Sequence, residues 1–313
     1  MMGILMSEDV FDVVIVGAGP AGLTAALYCV RSGLSVQVIG KIVGGQAAEA
    51  SLIENYPGFK AIAGIELMNR FAEQVESLGV KVLNDEVTGI EQVGDLFVVK
   101  TSWSGDFRCR AVILAVGAEP KKLGIKGEEE FRGKGVSYCA VCDGPLFRGR
   151  DVAVVGGGNS ALDAALYLSG LAKTVYLIHR RSEFRAVKAL VDKVNERSNI
   201  VKKLNMTPVE IGGGRFVEWI KVRDVNSGVE EQINVNAVFI EVGRRVNSDF
   251  LRGFVELDEQ GQIVVDSLCR TSRRGVFAAG DATIIPYKQV VIAAGDGAKA
   301  ALSAYEYLKA SRR

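Results

Sequence analysis

One local pattern occurs twice in this chain, and the two copies together leave little freedom of fold. Asp12 to Val16 is an apolar, β-branched run, and Gly17-Ala18-Gly19-Pro20-Ala21-Gly22 follows it. Leu23 to Arg31 then carries apolar residues at helical spacing, and Ser35 to Ile39 returns as a strand pattern. Roughly 140 residues later the order recurs: Asp151 to Val155, the turn Gly156-Gly157-Gly158-Asn159-Ser160-Ala161, a helical pattern over Ala164 to Leu171, and a strand pattern over Thr174 to Ile178. A strand feeding a glycine turn and a helix opens a parallel, doubly wound unit. Two such openings predict an α/β protein with two doubly wound, three-layer Rossmann-like domains.

The remaining segments predict how these domains are threaded. Val80 to Val116 is β-rich, with turn signals at Asn84-Asp85, Gly94-Asp95 and Ser104-Gly105. The tail matches neither copy. Gly275 to Ala279 reads as a short strand ending in Gly280-Asp281. Lys288 to Leu308 reads as a long helix, with Ala294, Ala298, Ala301, Tyr305 and Leu308 at three- and four-residue steps. Such a helix needs a sheet to cover. The expected arrangement is a discontinuous first domain, residues 1–119 with 248–313, and a second domain, residues 120–247, inserted into it. The links fall near Gly117–Leu123 and Gly243–Asn247, where glycine, proline and charge cluster.

Composition narrows the function classes. With 38 basic and 37 acidic residues the net charge is +1, so no basic stripe argues for nucleic acid. No apolar run approaches the ~18 residues of a membrane span. Met1 to Val10 carries acids and lacks a basic-then-apolar signal pattern, which predicts a cytoplasmic protein. The five cysteines do not form a secreted disulfide framework. Cys29, Cys109 and Cys269 fall in apolar contexts and read as small structural residues. His179 is the single histidine, and there is no second close cysteine pair, so zinc-type ligation has no set to draw on.

The two glycine turns point to phosphate. Glycine there permits a tight turn, close backbone approach to a pyrophosphate and close helix–strand packing, and the helix start offers free N–H groups. A purely structural turn is the alternative. The first copy lacks the acid that commonly ends the second strand to hold a ribose hydroxyl: the chain reads Val38-Ile39-Gly40-Lys41. The second copy ends in His179-Arg180-Arg181, with Arg185 shortly after. Arginine forks match a phosphate dianion. They predict a 2′-phosphate, hence NADPH over NADH, against the alternative of a solvated basic helix start. His179 reads as a strand-end residue near the cofactor rather than a base.

Between the two turns lies Cys139-Ala140-Val141-Cys142-Asp143. A Cys-x-x-Cys in such a protein is a redox or metal motif, and further metal ligands are wanting. The short spacing makes an intramolecular disulfide easy. Reducing a disulfide requires a proton for the leaving thiolate, and Asp143 is the adjacent candidate if burial raises its proton affinity. A helix N-cap is the other role open to that carboxyl. A dithiol framed by two dinucleotide turns fits electrons entering from a nicotinamide, crossing a flavin and leaving through a disulfide.

These motifs, together with Gly44-Gly45-Gln46, Glu54-Asn55-Tyr56-Pro57-Gly58 and Gly280-Asp281, resemble the low-molecular-weight thioredoxin reductases over about residues 10 to 308. The resemblance implies FAD held by Gly17, Gly19, Pro20, Ala21, Gly22, Gly45, Gln46, Asn55, Val87, Ala115, Gly117, Gly280, Asp281, Lys288, Gln289 and Val290. It implies NADPH held by Gly156, Gly158, Asn159, Ser160, Ala161, His179, Arg180, Arg181, Arg185 and Gly243. Cys142 would face the flavin, Cys139 would attack the partner's disulfide, and Asp143 would protonate. It further implies rotation of the inserted domain, a homodimer, and thioredoxin or a glutaredoxin-like small disulfide protein as acceptor. Val116 departs from the family's common threonine, which a backbone contact would survive. The alternatives are a flavin-dependent NAD(P)H oxidase or dithiol oxidase on the same fold, and a non-enzymatic nucleotide-binding redox sensor.

Overall fold

The computed structural model describes residues 10–50 and 52–311. The opening stretch read above for a signal pattern lies, up to residue 9, outside them. In chain order the regular elements are β1 (Val10–Val16), α1 (Pro20–Arg31), β2 (Val36–Ile39), α2 (Gly64–Glu76), β3 (Val82–Leu83), β4 (Val87–Val93), β5 (Leu96–Thr101), β6 (Asp106–Leu114) and β7 (Ala118–Pro120). There follow β8 (Val136–Ser137), α3 (Ala140–Asp143), β9 (Asp151–Val155), α4 (Asn159–Ser169), β10 (Thr174–His179), α5 (Lys188–Asn195), β11 (Ile200–Leu204), β12 (Met206–Gly213), β13 (Val217–Asp224), β14 (Glu230–Asn234) and β15 (Ala237–Ile240). The chain closes with β16 (Arg244–Val246), β17 (Val276–Ala278) and α6 (Val290–Ser311). It divides into two compact units: the residues up to Glu119 together with those from Arg245 on, and Pro120–Arg244. The second division thus falls three residues before the 247 marked by composition. The two connections, β7 and β16, pair with each other.

In the first unit the strands run β3-β2-β1-β6-β5-β4, with β17 also on β6. β1 lies parallel between β2 and β6, whereas β4, β5 and β6 form an antiparallel meander. Side chains alternate across a strand, and both faces of β1 are covered, which is why Val13 to Val16 are continuously apolar. Val13 and Ile15 pack with Ala25 and Ala26 of α1 and Ala300 and Ala304 of α6. Val14 and Val16 pack with Ile90, Phe97, Val99, Leu251 and Ile263. α6 reaches α1 closely because a Cβ at Gly297 would stand 2.1 Å from the Ala21 carbonyl oxygen. The helix starts at Val290, not Lys288, because Tyr287 takes a left-handed φ of 63°, which interrupts helical propagation.

The second unit is a parallel sheet, β11-β10-β9-β15-β8. One face buries Val152, Val154 and Val175 against Leu162, Ala165 and Leu168 of α4. The other buries Ala153, Val155 and Ile178 against Ile211, Ile220, Val222 and Ile233 of the antiparallel β12-β13-β14 sheet. The result is three layers: helices, parallel sheet, antiparallel sheet. β10 and β15 flank β9 on opposite sides, so the crevice at the carboxyl ends of β9 and β15 is a topological switch point, the usual ligand position in open α/β sheets. α4 begins at Asn159, five residues before the apolar spacing becomes visible, because Gly158 is its N-cap and Asn159-Ser160 form its polar first turn. Among the described residues no helix is long and apolar enough to cross a membrane.

Candidate redox centre and nucleotide cradles

The glycines of the first turn divide into two kinds. A Cβ at Gly17 would stand 2.0 Å from the Ala115 oxygen, and one at Gly22 would stand 1.8 Å from the Gly17 oxygen. Those two are glycine because the protein packs on them. Gly19 meets nothing closer than the Gly44 oxygen at 4.0 Å, so its backbone is left accessible at the start of α1. Pro20 and Ala21 follow as the first helical residues. The Gly44 N–H donates to the Ala18 oxygen (2.7 Å), which brings Gly45 and Gln46 up to the turn; a Gly45 Cβ would lie 3.4 Å from Gly19 Cα.

The remaining first-cradle residues come from five further segments. Ala115 donates its N–H to the Val16 oxygen (2.7 Å), and Gly117 beyond it has a φ of 67°. Gly280 sits against Ala21 and Ala293, so the short turn carrying Asp281 lies by the starts of α1 and α6. Asn55 Nδ2 donates to Gln289 Oε1 (3.0 Å), and Lys288 Nζ donates to the Thr283 oxygen (2.6 Å). Val87 shares a core cluster with Val16 and Ile39. Lys41, where an acid was absent, pairs with Glu86 at 2.6 Å.

The second turn repeats this division. A Cβ at Gly156 would stand 2.3 Å from the Glu241 oxygen, whereas at Gly158 nothing lies within 4 Å. Ala161 is fully buried. A backbone accessible at Gly19 and Gly158 alone, each at the head of a helix, is what a dinucleotide pyrophosphate requires. Both cradles therefore fit one. Gly157, which the turn pattern leaves unassigned, is glycine because the His179 ring would be 2.2 Å from its Cβ. That ring is buried, stacks on Phe184 at 5.6 Å and has Nε2 3.1 Å from the Glu183 oxygen. Burial first, and then the nearby arginines, hold His179 below its usual proton affinity. The histidine is a wedge under the loop.

Arg180, Arg181 and Arg185 are exposed, and none is ion-paired to a carboxylate among the described residues. They do not start a helix. The chain stays a loop until α5 at Lys188, because the Arg185 N–H donates to the Gly157 oxygen (2.7 Å) and the Val187 N–H to Asn159 Oδ1 (2.9 Å). The segment is wrapped over the glycine turn. Ser160 is exposed beside it, and Gly243, with a φ of 105°, follows β15.

Cys139 and Cys142 are joined in a disulfide, with their Cα atoms 5.3 Å apart. β8 delivers Ser137, and Cys139 caps the single turn of α3: the Cys142 N–H donates to Cys139 Sγ at 3.2 Å. Asp143 is the last residue of that turn and stands at the N-cap position of the 3-10 turn Gly144–Phe147, but its side chain makes no capping hydrogen bond there. Its carboxyl instead takes Ser137 Oγ at 2.6 Å, and that hydroxyl also receives the Cys139 N–H at 3.0 Å. Burial raises the proton affinity of Asp143, and the Ser137 hydrogen bond offsets only part of the rise. A protonated carboxyl can also donate, so Asp143 is equipped to hold a proton next to the dithiol. Cys29 and Cys109 are pushed up to about 12 by burial and Cys269 to about 11, as expected of inert packing thiols.

Three residues escape a reading of the sequence. Ser137 has a faint signal, a hydroxyl two positions before the first cysteine. Buried Glu128 accepts from the Leu123 and Gly124 N–H groups (2.9 and 2.7 Å) and from Tyr138 Oη (2.8 Å), tying the incoming connection to the residue before Cys139. Glu241 is pushed up to about 7, chiefly by burial; Arg244 and the Ala140 N–H pull the other way.

Two dinucleotide cradles and a disulfide in one chain define a class, that of proteins binding a flavin and a pyridine nucleotide around a redox-active cysteine pair. Within it, the chain belongs to the pyridine nucleotide-disulphide oxidoreductase family, whose profile matches residues 11–302. It is 42% identical over 301 residues to the thioredoxin reductase of Borreliella burgdorferi, covering 95% of this chain and 92% of that one. It is 38% identical over 309 residues to an alkyl hydroperoxide reductase component from Escherichia coli, covering 97% of this chain but only 59% of that longer protein. The solved thioredoxin reductase of Streptococcus pyogenes superposes with a TM-score of 0.91 at 39% identity, covering 97% of this chain and all of that one. That of Giardia duodenalis gives 0.92 at 36%, with 96% and 100% covered.

Proposed function

We propose that this protein is an NADPH-dependent thioredoxin-disulfide reductase, with FAD in the first cradle and NADPH in the second. The observation that carries this is the Cys139–Cys142 disulfide with the half-buried Asp143, in the same unit as a glycine cradle followed by three arginines that pair with no carboxylate among the described residues. When bound, the nicotinamide supplies a hydride and the flavin relays its electron pair to a disulfide. The chain's own residues do the rest. Gly19, Pro20 and Ala21 with Gly45, Gln46, Asn55, Val87, Ala115, Gly117, Gly280, Asp281 and Lys288–Val290 hold FAD. Gly158, Asn159, Ser160 and Ala161 hold the second pyrophosphate, and Arg180, Arg181 and Arg185 fork its 2′-phosphate.

In the reduced state the Cys139 thiolate attacks the partner's disulfide, forming a mixed disulfide and releasing one partner thiolate. The Cys142 thiolate then attacks Cys139 Sγ, restoring the intramolecular disulfide and releasing the second. Asp143 holds the proton that a sulfur of the opened pair receives. The acceptor fitting this chemistry is thioredoxin or a glutaredoxin-like protein, and self-association as a homodimer belongs to the same reading. Each unit has its own core and only two connections, which suits motion of the inserted unit as a body.

The test is anaerobic reduction of the flavin-loaded protein by NADPH, followed by oxidised thioredoxin. Oxidation of NADPH in step with the appearance of thioredoxin thiols is expected. Flavin that is reduced, passes no electrons to thioredoxin and is reoxidised once oxygen is admitted would support the oxidase alternative. Cys139→Ser should abolish thioredoxin reduction while leaving reduction of the flavin by NADPH intact; loss of both would refute the assigned order.

A further inference from the structure

The two units repeat each other at one more place. After Val16, the Gly17 N–H donates to the Ile39 oxygen, and the Ala115 N–H donates to the Val16 oxygen. After Val155, the Gly156 N–H donates to the Ile178 oxygen, and the Glu241 N–H donates to the Val155 oxygen. The Ala115 and Glu241 oxygens cap Gly17 and Gly156 alike. Ala115-Val116-Gly117 and Glu241-Val242-Gly243 are therefore the same station in two copies. The first unit places a methyl there. The second places a carboxyl, at the switch point between β9 and β15. β15 runs parallel to β8 with Phe239 opposite Ser137, so two residues further on Glu241 comes level with the head of the dithiol turn, where the Ala140 N–H acts upon it.

We propose that Glu241 is a positioning residue for the Cys139–Cys142 pair, whose proton uptake is coupled to opening of the disulfide. This rests on the dithiol being the redox centre argued above. The physical route is short. A thiolate on Cys139 is stabilised by the N–H groups of α3, as its sulfur already accepts from Cys142. An ionised Glu241 sets a like charge against the same turn and opposes that thiolate; a protonated one does not. Burial raises the proton affinity of Glu241, while Arg244 and the Ala140 N–H lower it. Asp143 is engaged by Ser137 instead. When a dithiol reductant delivers two electrons and the S–S bond breaks, one sulfur takes a proton from Asp143. The other remains thiolate, and Glu241 draws its proton from solvent.

The test is a redox titration of the full, flavin-loaded chain against dithiothreitol, from about pH 5.5 to 8.5. The fraction of Cys139–Cys142 opened is read by thiol labelling and mass, relative to the dithiothreitol couple at each pH. Wild type should show an inflection near pH 7, where Glu241 titrates. Glu241→Gln should lose that inflection and open roughly threefold to tenfold more readily above it. Arg244→Gln removes the opposing cation, so the inflection should move to higher pH; it serves as the second reading if the glutamine variant does not fold. A Glu241→Gln curve superimposable on wild type, or an unmoved inflection in Arg244→Gln, overturns the proposal while leaving the redox centre standing. A pair that never opens at any reductant ratio overturns both.

Discussion

Asp143 and Glu241 are both carboxyls lifted by burial, and each makes its own prediction. The rise at Asp143 means that it keeps its proton above the ordinary aspartate range, and that this proton is lost as pH climbs through the raised value. Turnover with a protein disulfide should fall along that alkaline limb. Asp143→Asn should lower it about 100-fold and remove the limb, as a pH–rate profile would show. Glu241 moves from an ordinary 4.5 to about 7. Between those values the folded chain holds a proton that the unfolded chain has released, so the stability tied to this group falls as pH rises across the window. Glu241→Gln should remove that dependence and gain on the order of 1–3 kcal/mol at pH 8 relative to pH 4.5, measured by denaturant unfolding at the two pH values. The three buried thiols predict a labelling pattern: in the reduced native protein, a small alkylating agent should mark Cys139 and Cys142 and spare Cys29, Cys109 and Cys269.

The glycine turns predict a contrast between neighbours two positions apart. Gly17→Ala forces a methyl to 2.0 Å from a backbone oxygen, at a φ of 114°. It should cost at least about 3 kcal/mol or prevent folding. Gly19→Ala meets nothing closer than 4.0 Å. Its melting temperature should stay near wild type while flavin retention through gel filtration drops. Both turns, their flanking strands and the dithiol were legible in the amino-acid sequence because each is a pattern among adjacent residues. Other features are settled by partners far along the chain. The arginines look like a helix start, yet hydrogen bonds to the Gly157 backbone oxygen and the Asn159 side chain keep that segment a loop until Lys188. Val290 rather than Lys288 opens the last helix because of one left-handed tyrosine. Glu241 meets a turn about a hundred residues earlier, and no spacing rule reports such a meeting. Its one signal is the match of Glu241-Val242-Gly243 with Ala115-Val116-Gly117, visible only after the two copies are aligned.

Each unit encloses its own apolar clusters, two of them on opposite faces of the β9–β10–β15 sheet in Pro120–Arg244. Residues 120–244 produced alone should therefore unfold cooperatively and retain NADPH binding, with Arg180→Ala and Arg181→Ala weakening NADPH more than NADH. Calorimetric titration with the two nucleotides would check this, and equal losses for both would remove the arginines from the 2′-phosphate. The paired β7 and β16 have a further consequence. The inserted segment leaves and rejoins the rest of the chain through two strands paired with each other, so its two ends are already held side by side. Such a segment is a natural cassette. Spliced at those strands, the counterpart from another family member would bring its own coenzyme preference and cysteine pair onto an unchanged flavin platform, and recombination between relatives could trade electron donors without redesigning the rest.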